Sequence, residues 1–575
     1  MNPRRPLAVL TSAAVLGMLA ACANGGENTG ASNTETSAAA ANNSGQTTEN
    51  GRTLEGNLYL GEGLPIVKEP VDYSMMISYT LGKRDPNDMA LYKERDEKTG
   101  VRISYDYVLA TAVNERKATA LASDDMPDMI ANILTNDDIS TYGGSGMLVE
   151  LDDYMDKYMP RLKKMLADNP EVEKASRTPD GKLYGFPAPN AYSLWPGDGK
   201  YIRTSQLINK KWLDELGLAM PETTDDLVNV LTAFRDKDPN HNGKQDEIPY
   251  SFQYSDTWAG NFGETVFGPF GVIGPGTNKF IQDGKTVLAI QANGYKEAIT
   301  YAKKLYADGL IDPEAFTQDA SRYRAKGSAE TPVYGLLNGW TGDLEVGPTR
   351  IGMETSDTVE YVPLPPLKGP AGTRLWNNSI SGLNTNRLVI TTSAKNPEVL
   401  MRYVDEMYEA DNSIQEVYGM FDHQTKKLGD GKWQGIQSPE GWNGEEWLRD
   451  TTTRVLPSYI SNEMAENFLG PETPAKPDGE TKKDSLKYRF AEVFAPYAMD
   501  AGNVYPPVMM SREEAEEIAR ILPQIENAIK EQEVKWITNK GDITTEYDGF
   551  MKKLDGLQLP RLMEIYQGAY ERWIK

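Results

Sequence analysis

With 575 residues the chain can build several domains, and a 39% hydrophobic content that includes 10 Trp and 30 Tyr excludes a disordered protein. Lys and Arg number 60 against 84 Asp and Glu; the formal charge of −24 repels phosphate backbones and argues against nucleic acid as a partner. Two histidines and one cysteine exclude multi-cysteine zinc sites, iron–sulfur clusters and intrachain disulfides, and leave little room for histidine-dependent catalysis.

The chain opens on a leader. Arg4 and Arg5 precede an apolar stretch, Leu7 to Ala21, shorter than the ~20 residues a membrane-spanning helix needs. Its end, Leu19-Ala20-Ala21-Cys22, resembles the lipobox of bacterial lipoproteins. That resemblance implies a signal peptide over 1–21, cleavage before Cys22 and acylation of the Cys22 thiol by chains such as palmitate. The mature protein would then be lipid-anchored on the extracellular face of the cell membrane. Residues 22–54 are rich in Gly, Ala, Ser, Thr and Asn. Such a segment buries too little surface to offset its ordering entropy and reads as a flexible tether.

Next in the chain, strands are predicted at Tyr73–Tyr79 and Val101–Val108, with a helix over Pro86–Thr99 between them. Arg116–Ala122 reads as a helix and Met129–Ile133 as a buried strand. This alternation predicts βαβ units in a mainly parallel sheet, with ligands at the loops beyond the carboxyl ends of its strands. After Leu183, Tyr201–Ile208 is strand-like and Lys211–Leu216 is a short helix stopped by Gly217. Thr223–Arg235 is an amphipathic helix with a Thr cap and acids in its first turn. Tyr295–Gly309 and Asn396–Glu409 are helical, Val333–Leu337 is a strand, and Ser511–Lys575 is largely helical. No short-period repeat appears.

Several blocks, in order, carry a resemblance to a known family. They are Leu91-Tyr92-Lys93-Glu94 through Thr99-Gly100-Val101; Leu121 through Pro127-Asp128-Met129-Ile130; Gly146-Met147-Leu148-Val149-Glu150-Leu151; and Asp180-Gly181-Lys182-Leu183-Tyr184-Gly185-Phe186-Pro187. Trp212 to Leu218, Pro221-Glu222-Thr223 and Tyr361 to Gly369 continue the series. Together they resemble the bacterial extracellular solute-binding proteins, family 1, of sugar importers, related to maltose-binding and alginate-oligosaccharide-binding proteins. The resemblance implies an α/β, two-lobe periplasmic-binding-protein-like fold (type II), with hinged lobes and a ligand cleft between them. It assigns the first lobe to 55–186 plus 362–405 and the second to 187–361 plus 406–575. It further implies a carbohydrate ligand, an oligosaccharide, delivered to the permease subunits of an ABC importer, and a protein that is not an enzyme. Two alternatives stay open: a sugar-sensing surface receptor without transport, and a secreted glycoside-active enzyme, for which no compact acid–base motif is present.

A sharper motif is Asp238-Pro239-Asn240-His241-Asn242-Gly243-Lys244-Gln245-Asp246-Glu247. Oxygen side chains at positions one, three, five and nine, with glycine at six, fit an EF-hand-type calcium loop. The loop departs from that pattern at position twelve, where Pro249 stands in place of Glu. A similar loop in the alginate-binding members implies the ligands Asp238, Asn240, Asn242, the Lys244 carbonyl, Asp246 and Glu247, holding a structural Ca2+ with His241 pointing outward.

Sugars present apolar faces edged by hydroxyls, so aromatic platforms beside polar side chains mark candidate contacts. On the first lobe these are Thr80, Lys83 and Arg84 after the first strand, and Asn136, Asp137 and Asp138 after the third. On the second they are Tyr192, Trp195, Arg203, Trp258 and Trp340, with Trp376 as their counterpart on the chain returning to the first lobe. Trp340 is the leading candidate, since it follows a strand through Asn338-Gly339 and the similar segment of maltose-binding protein supplies a stacking Trp.

Overall fold

The computed structural model describes residues 46–575 except 50, 80–83, 124, 190–200, 257–259, 379–382, 443, 473–476 and 480. The signal peptide, Cys22 and most of the predicted tether lie outside the described residues. Among those described, no helix is long and apolar enough to cross a membrane.

The first lobe is built on a five-stranded sheet. Val71–Ser78 pairs in parallel with Val101–Val108 along its whole length and with Met129–Ala131 on its other side. Helices Ala90–Thr99 and Val113–Leu121 make the return crossings that parallel pairing requires. In Val101–Val108 the alternation is visible as burial of Val101, Ile103 and Tyr105 between exposed Arg102, Ser104 and Asp106. The first of those helices stops at Gly100, whose φ of 75° is left-handed and whose missing Cβ leaves room for Val67 Cγ2, 2.9 Å from where a Cβ would lie. Its predicted start at Pro86 is a separate 3-10 turn, Pro86–Asp88, broken by extended Met89. Two further strands, Leu388–Ile390 and Gly185–Phe186, complete the sheet in antiparallel pairing. It is therefore mixed rather than mainly parallel, because one strand arrives late from a distant part of the chain.

The second lobe has a four-stranded sheet in the order Tyr361–Pro363, Ser205–Asn209, Tyr334–Gly339, Ile248–Ser251, with only the last pair parallel. Helix Thr224–Asp236 starts on a reciprocal capping box between Thr223 and Asp226 and buries Leu227, Val230, Leu231 and Phe234. The C-terminal helices Arg512–Ile537, Ile543–Gly556 and Leu559–Ile574 add Ile518, Ile525, Trp536, Leu562 and Tyr566 to the same core.

Three expected boundaries shift. Residues 362–376 belong with the second lobe, since Tyr361–Pro363 is hydrogen-bonded to Ser205–Asn209 and Trp376 packs among second-lobe residues. Residues 408–456 join the first lobe. Tyr408, Val455 and Leu456 enter its core, Tyr92 Oη lies 2.6 Å from Thr453 Oγ1, and Arg95 is paired with buried Glu416 at 3.3 Å. Finally, the predicted tether ends early, as Arg52–Glu55 pairs with Leu58–Tyr59. Met509 also enters a first-lobe core with Ile130 and Ile139 just before helix Arg512–Ile537 begins. The chain thus returns to the first lobe just before the C-terminal helices, a crossing the sequence blocks did not suggest.

Candidate ligand site and metal loop

At the second-lobe sheet, the parallel strands Ile248–Ser251 and Tyr334–Gly339 end on the same edge, and the antiparallel Ser205–Asn209 begins there. Strand Tyr334–Gly339 is fixed from within by Asn338. Its Nδ2 donates to Thr265 Oγ1 at 3.0 Å and its Oδ1 accepts from Tyr250 Oη at 2.7 Å. Trp340 follows at the edge, half-buried, and a turn with left-handed Gly342 (φ 86°) leads into the short helix Asp343–Val346.

Around Trp340 the chain gathers groups from two distant segments, 201–205 and the helix that carries Lys487, with Glu264 held against the first of them. The Tyr201 ring lies 6.0 Å from the indole. Ser205 Oγ donates to the Trp340 carbonyl at 2.9 Å. The Lys487 ammonium sits 4.1 Å from the Trp340 ring centre. Glu264 is 5% exposed, and burial pushes its carboxyl up, opposed by hydrogen bonds from Asn377 and Thr204 and by the Arg203 charge. Its Oε2 is buried with no hydrogen-bond partner among the described groups. A half-buried indole at the strand ends, with a buried, partly satisfied carboxylate that feels Arg203 and Thr204 just before the neighbouring strand, is suited to a polyhydroxyl ligand.

On the first lobe, Arg84 is tied to Asp450 at 2.8 Å, and its carbonyl accepts from Tyr79 Oη. Asn136 Oδ1 accepts from Asn386 Nδ2 at 2.8 Å. Asp138 is committed through Oδ2, which accepts from the Thr135 amide and hydroxyl as a helix cap and pairs with Lys117 at 2.7 Å. Asp137 is largely buried, which pushes its carboxyl up against the opposing charge of Lys279 in the second lobe. Thr80, Lys83, Tyr192, Trp195 and Trp258 lie outside the described residues.

Trp376 is a correction. It is 1% exposed, stacks on Phe494 at 4.5 Å and donates through Nε1 to the Thr204 carbonyl at 3.3 Å. An indole enclosed on both faces offers no platform, and its packing places it in the second lobe. Sequence reasoning missed Tyr201, Glu264 and Lys487. No local pattern marks them, since each becomes part of the site only through strand order and helix docking.

In the Asp238–Glu247 loop, Asp238 accepts from the amides of Asn242 and Gly243 at 3.1 and 2.9 Å, and Asn242 Oδ1 accepts from the Lys244 amide at 2.8 Å. His241 and Gly243 both have positive φ, 55° and 71°, so the backbone curls around its own side-chain oxygens. His241 faces outward, with Nε2 3.1 Å from Glu215. Among the described residues, no three His, Cys, Asp or Glu side chains cluster as metal ligands. The present donor set differs in kind, because two of its five side chains are amides. Asn240 and Asn242 direct Nδ2 at Asp246, at 3.2 and 2.9 Å, and a cation would take their Oδ1 instead. The fit is carried by Glu247. Both its carboxylate oxygens are buried without a partner, and burial together with Asp238 and Asp246 pushes its carboxyl up. That is the environment a hard cation relieves.

Two α/β lobes, with an aromatic and polar cluster at the carboxyl ends of one lobe's strands, define a type II solute-binding architecture. Residues 86–414 match the family described as bacterial extracellular solute-binding protein, and the chain belongs to that family. It is 31% identical over 531 residues to the fructooligosaccharide ABC transporter substrate-binding protein FusA of Streptococcus pneumoniae, covering 89% of this chain and 92% of the relative. The structure of FusA in complex with kestose matches at TM-score 0.74 and 29% identity, over 88% of this chain and 99% of that one. A FusA EF-hand mutant in complex with fructo-nystose matches at TM-score 0.75 and 28% identity, with the same coverage. The alginate-binding protein AlgQ2 without calcium ion, 20% identical at TM-score 0.69 over 88% of this chain and 99% of that one, shares the fold.

Proposed function

We propose that this chain captures a neutral oligosaccharide of the fructooligosaccharide class in the cleft between its lobes and delivers it to the permease of an ABC importer. The observation that carries the reading is the cluster at the second-lobe strand ends, where the half-buried Trp340, backed by buried Tyr201, supplies an apolar face and Arg203 and Glu264 supply polar partners. The near full-length similarity to FusA supports the sugar class and the transport role. The charge of −24 disfavours a polyuronate ligand. The protein acts by binding and not by catalysis. Its Asp238–Glu247 loop holds a structural calcium ion through Asp238, Asn240, Asn242, the Lys244 carbonyl, Asp246 and Glu247. Thr80, Lys83, Arg84, Asn136 and Asp137 contribute from the first lobe, and the Cys22 lipid holds the protein at the extracellular face of the membrane.

Titration calorimetry with kestose, and with neutral and acidic oligosaccharides of other sugars, tests the reading. Saturable binding of kestose with intact sugar recovered afterwards is expected. Absence of binding to any fructooligosaccharide overturns the ligand class, and hydrolysis of the sugar overturns the binding role. For the anchor, Cys22→Ala should release the protein from the membrane fraction; retention there refutes lipidation at Cys22.

A further inference from the structure

Lys487 stands out among the buried ionisable groups because it serves the site from behind. It lies in helix Leu486–Phe494, far along the chain from the strand ends it touches, and is 8% exposed. Its Nζ donates to the Trp340 carbonyl at 2.6 Å, to the Arg203 carbonyl at 2.7 Å and to Ser205 Oγ at 3.3 Å. The same ammonium lies 4.1 Å from the Trp340 ring centre. Three acceptors match the three N–H donors of an ammonium, and the aromatic face takes up part of the charge. One residue therefore ties together the two backbone segments that present Trp340 and Arg203. The opposite end of its helix is fixed by the Phe494–Trp376 stack.

We propose that Lys487 is a positioning residue for ligand binding, which holds the Trp340 indole and the Arg203–Ser205 segment in the arrangement that receives the sugar. The inference rests on the oligosaccharide reading for its effect on affinity, but not for its effect on Trp340 itself. Burial lowers the readiness of Lys487 to stay protonated, and the nearby Arg203 charge acts the same way while Asp343 opposes it. The charged, three-donor form is thus lost in alkaline solution earlier than for an exposed lysine. Arginine keeps its charge throughout.

The test uses the mature protein as wild type, Lys487→Met and Lys487→Arg, with Trp340→Phe to isolate the Trp340 fluorescence. Without ligand, acrylamide quenching of the Trp340 contribution should rise in Lys487→Met and stay near wild type in Lys487→Arg. With kestose, Lys487→Met should weaken affinity about tenfold or more, and Lys487→Arg should recover much of it. Wild-type affinity should fall in alkaline solution while that of Lys487→Arg stays flatter. Circular dichroism and thermal melting identify any variant that fails to fold, in which case Lys487→Gln, which keeps a donor without the charge, replaces Lys487→Met. Unchanged quenching in a folded variant overturns the positioning role, whatever the sugar does. If wild type binds no oligosaccharide but the quenching change is present, the functional reading fails and the positioning of Trp340 stands.

Discussion

Glu345 offers a quantitative test of the structure around the candidate site. It lies in the short helix that follows Trp340, is 8% exposed, and packs close to Gly339, where a Cβ would meet Glu345 Oε2 at 2.7 Å. Burial, with a smaller contribution from Asp343, pushes its carboxyl from 4.5 up to about 7. A folded-state value above the unfolded one makes the protonated form the stabilising one. Its contribution is present below the ordinary carboxylate range and is lost as pH rises through about 7. A displacement of that size corresponds to about 3 kcal/mol at most, since each pH unit is worth about 1.4 kcal/mol. Glu345→Gln removes the charge and keeps the shape. It should leave stability nearly unchanged in acid and raise it by about 2–3 kcal/mol above pH ~8. For a chain this long each kcal/mol moves the melting temperature by about 1 °C. The assay is thermal and urea unfolding of wild type and variant across the pH range, read as the difference between them. A difference that stays constant with pH, or a variant less stable in alkaline solution, refutes the reasoning.

Calcium should raise the melting temperature of wild type and chelation should lower it, by about 3 kcal/mol of stability when the free ion is near a hundred times its Kd. Glu247→Gln should abolish that response while leaving the chelated protein as stable as wild type or slightly more so, because both buried oxygens of Glu247 lack partners; calorimetry with Ca2+ alone provides the check, and an undiminished response excludes Glu247 as a ligand. Trp340→Ala should weaken kestose binding by about 10- to 100-fold in a folded protein, and unchanged affinity would remove Trp340 from the site. Trp376→Ala should instead cost about 3–5 kcal/mol of stability, whereas Trp376→Phe should retain wild-type affinity; weakened binding by a stable Trp376→Phe would restore the role the burial denies it.

Much of the fold was legible where local chemistry decides it. The alternation in Val101–Val108, the glycine stop at Gly217 and the Thr223 cap are all satisfied within a few residues, and each forms as the sequence indicates. Trp340 was legible because a strand followed by Asn-Gly-Trp places its indole at a sheet edge. Trp376 was misread because Asn377 and Asn378 beside it resemble a polar loop. In the structure Asn378 is internal, 6% exposed and donating to the Met499 carbonyl. The lobe boundaries erred for the same reason, since pairing of Tyr361–Pro363 with Ser205–Asn209 and docking of 408–456 on the first lobe are long-range events without local sequence signals.

The residues that were missed share a physical property: each is buried and held by groups far away in sequence. Glu264 is held through Asn377 and Thr204, Asn338 through Thr265 and Tyr250, and Lys487 through Arg203, Ser205 and Trp340. An exposed aromatic can be placed by its neighbours, but a buried charge is tolerable only once all its partners are present. The polar floor of the site therefore assembles only when segments around 204, 264, 338, 377 and 487 have docked together. Ligand binding and second-lobe folding draw on the same contacts, so substitutions in helix Leu486–Phe494 should register in both, even though none of its residues was visible as a ligand contact in the sequence.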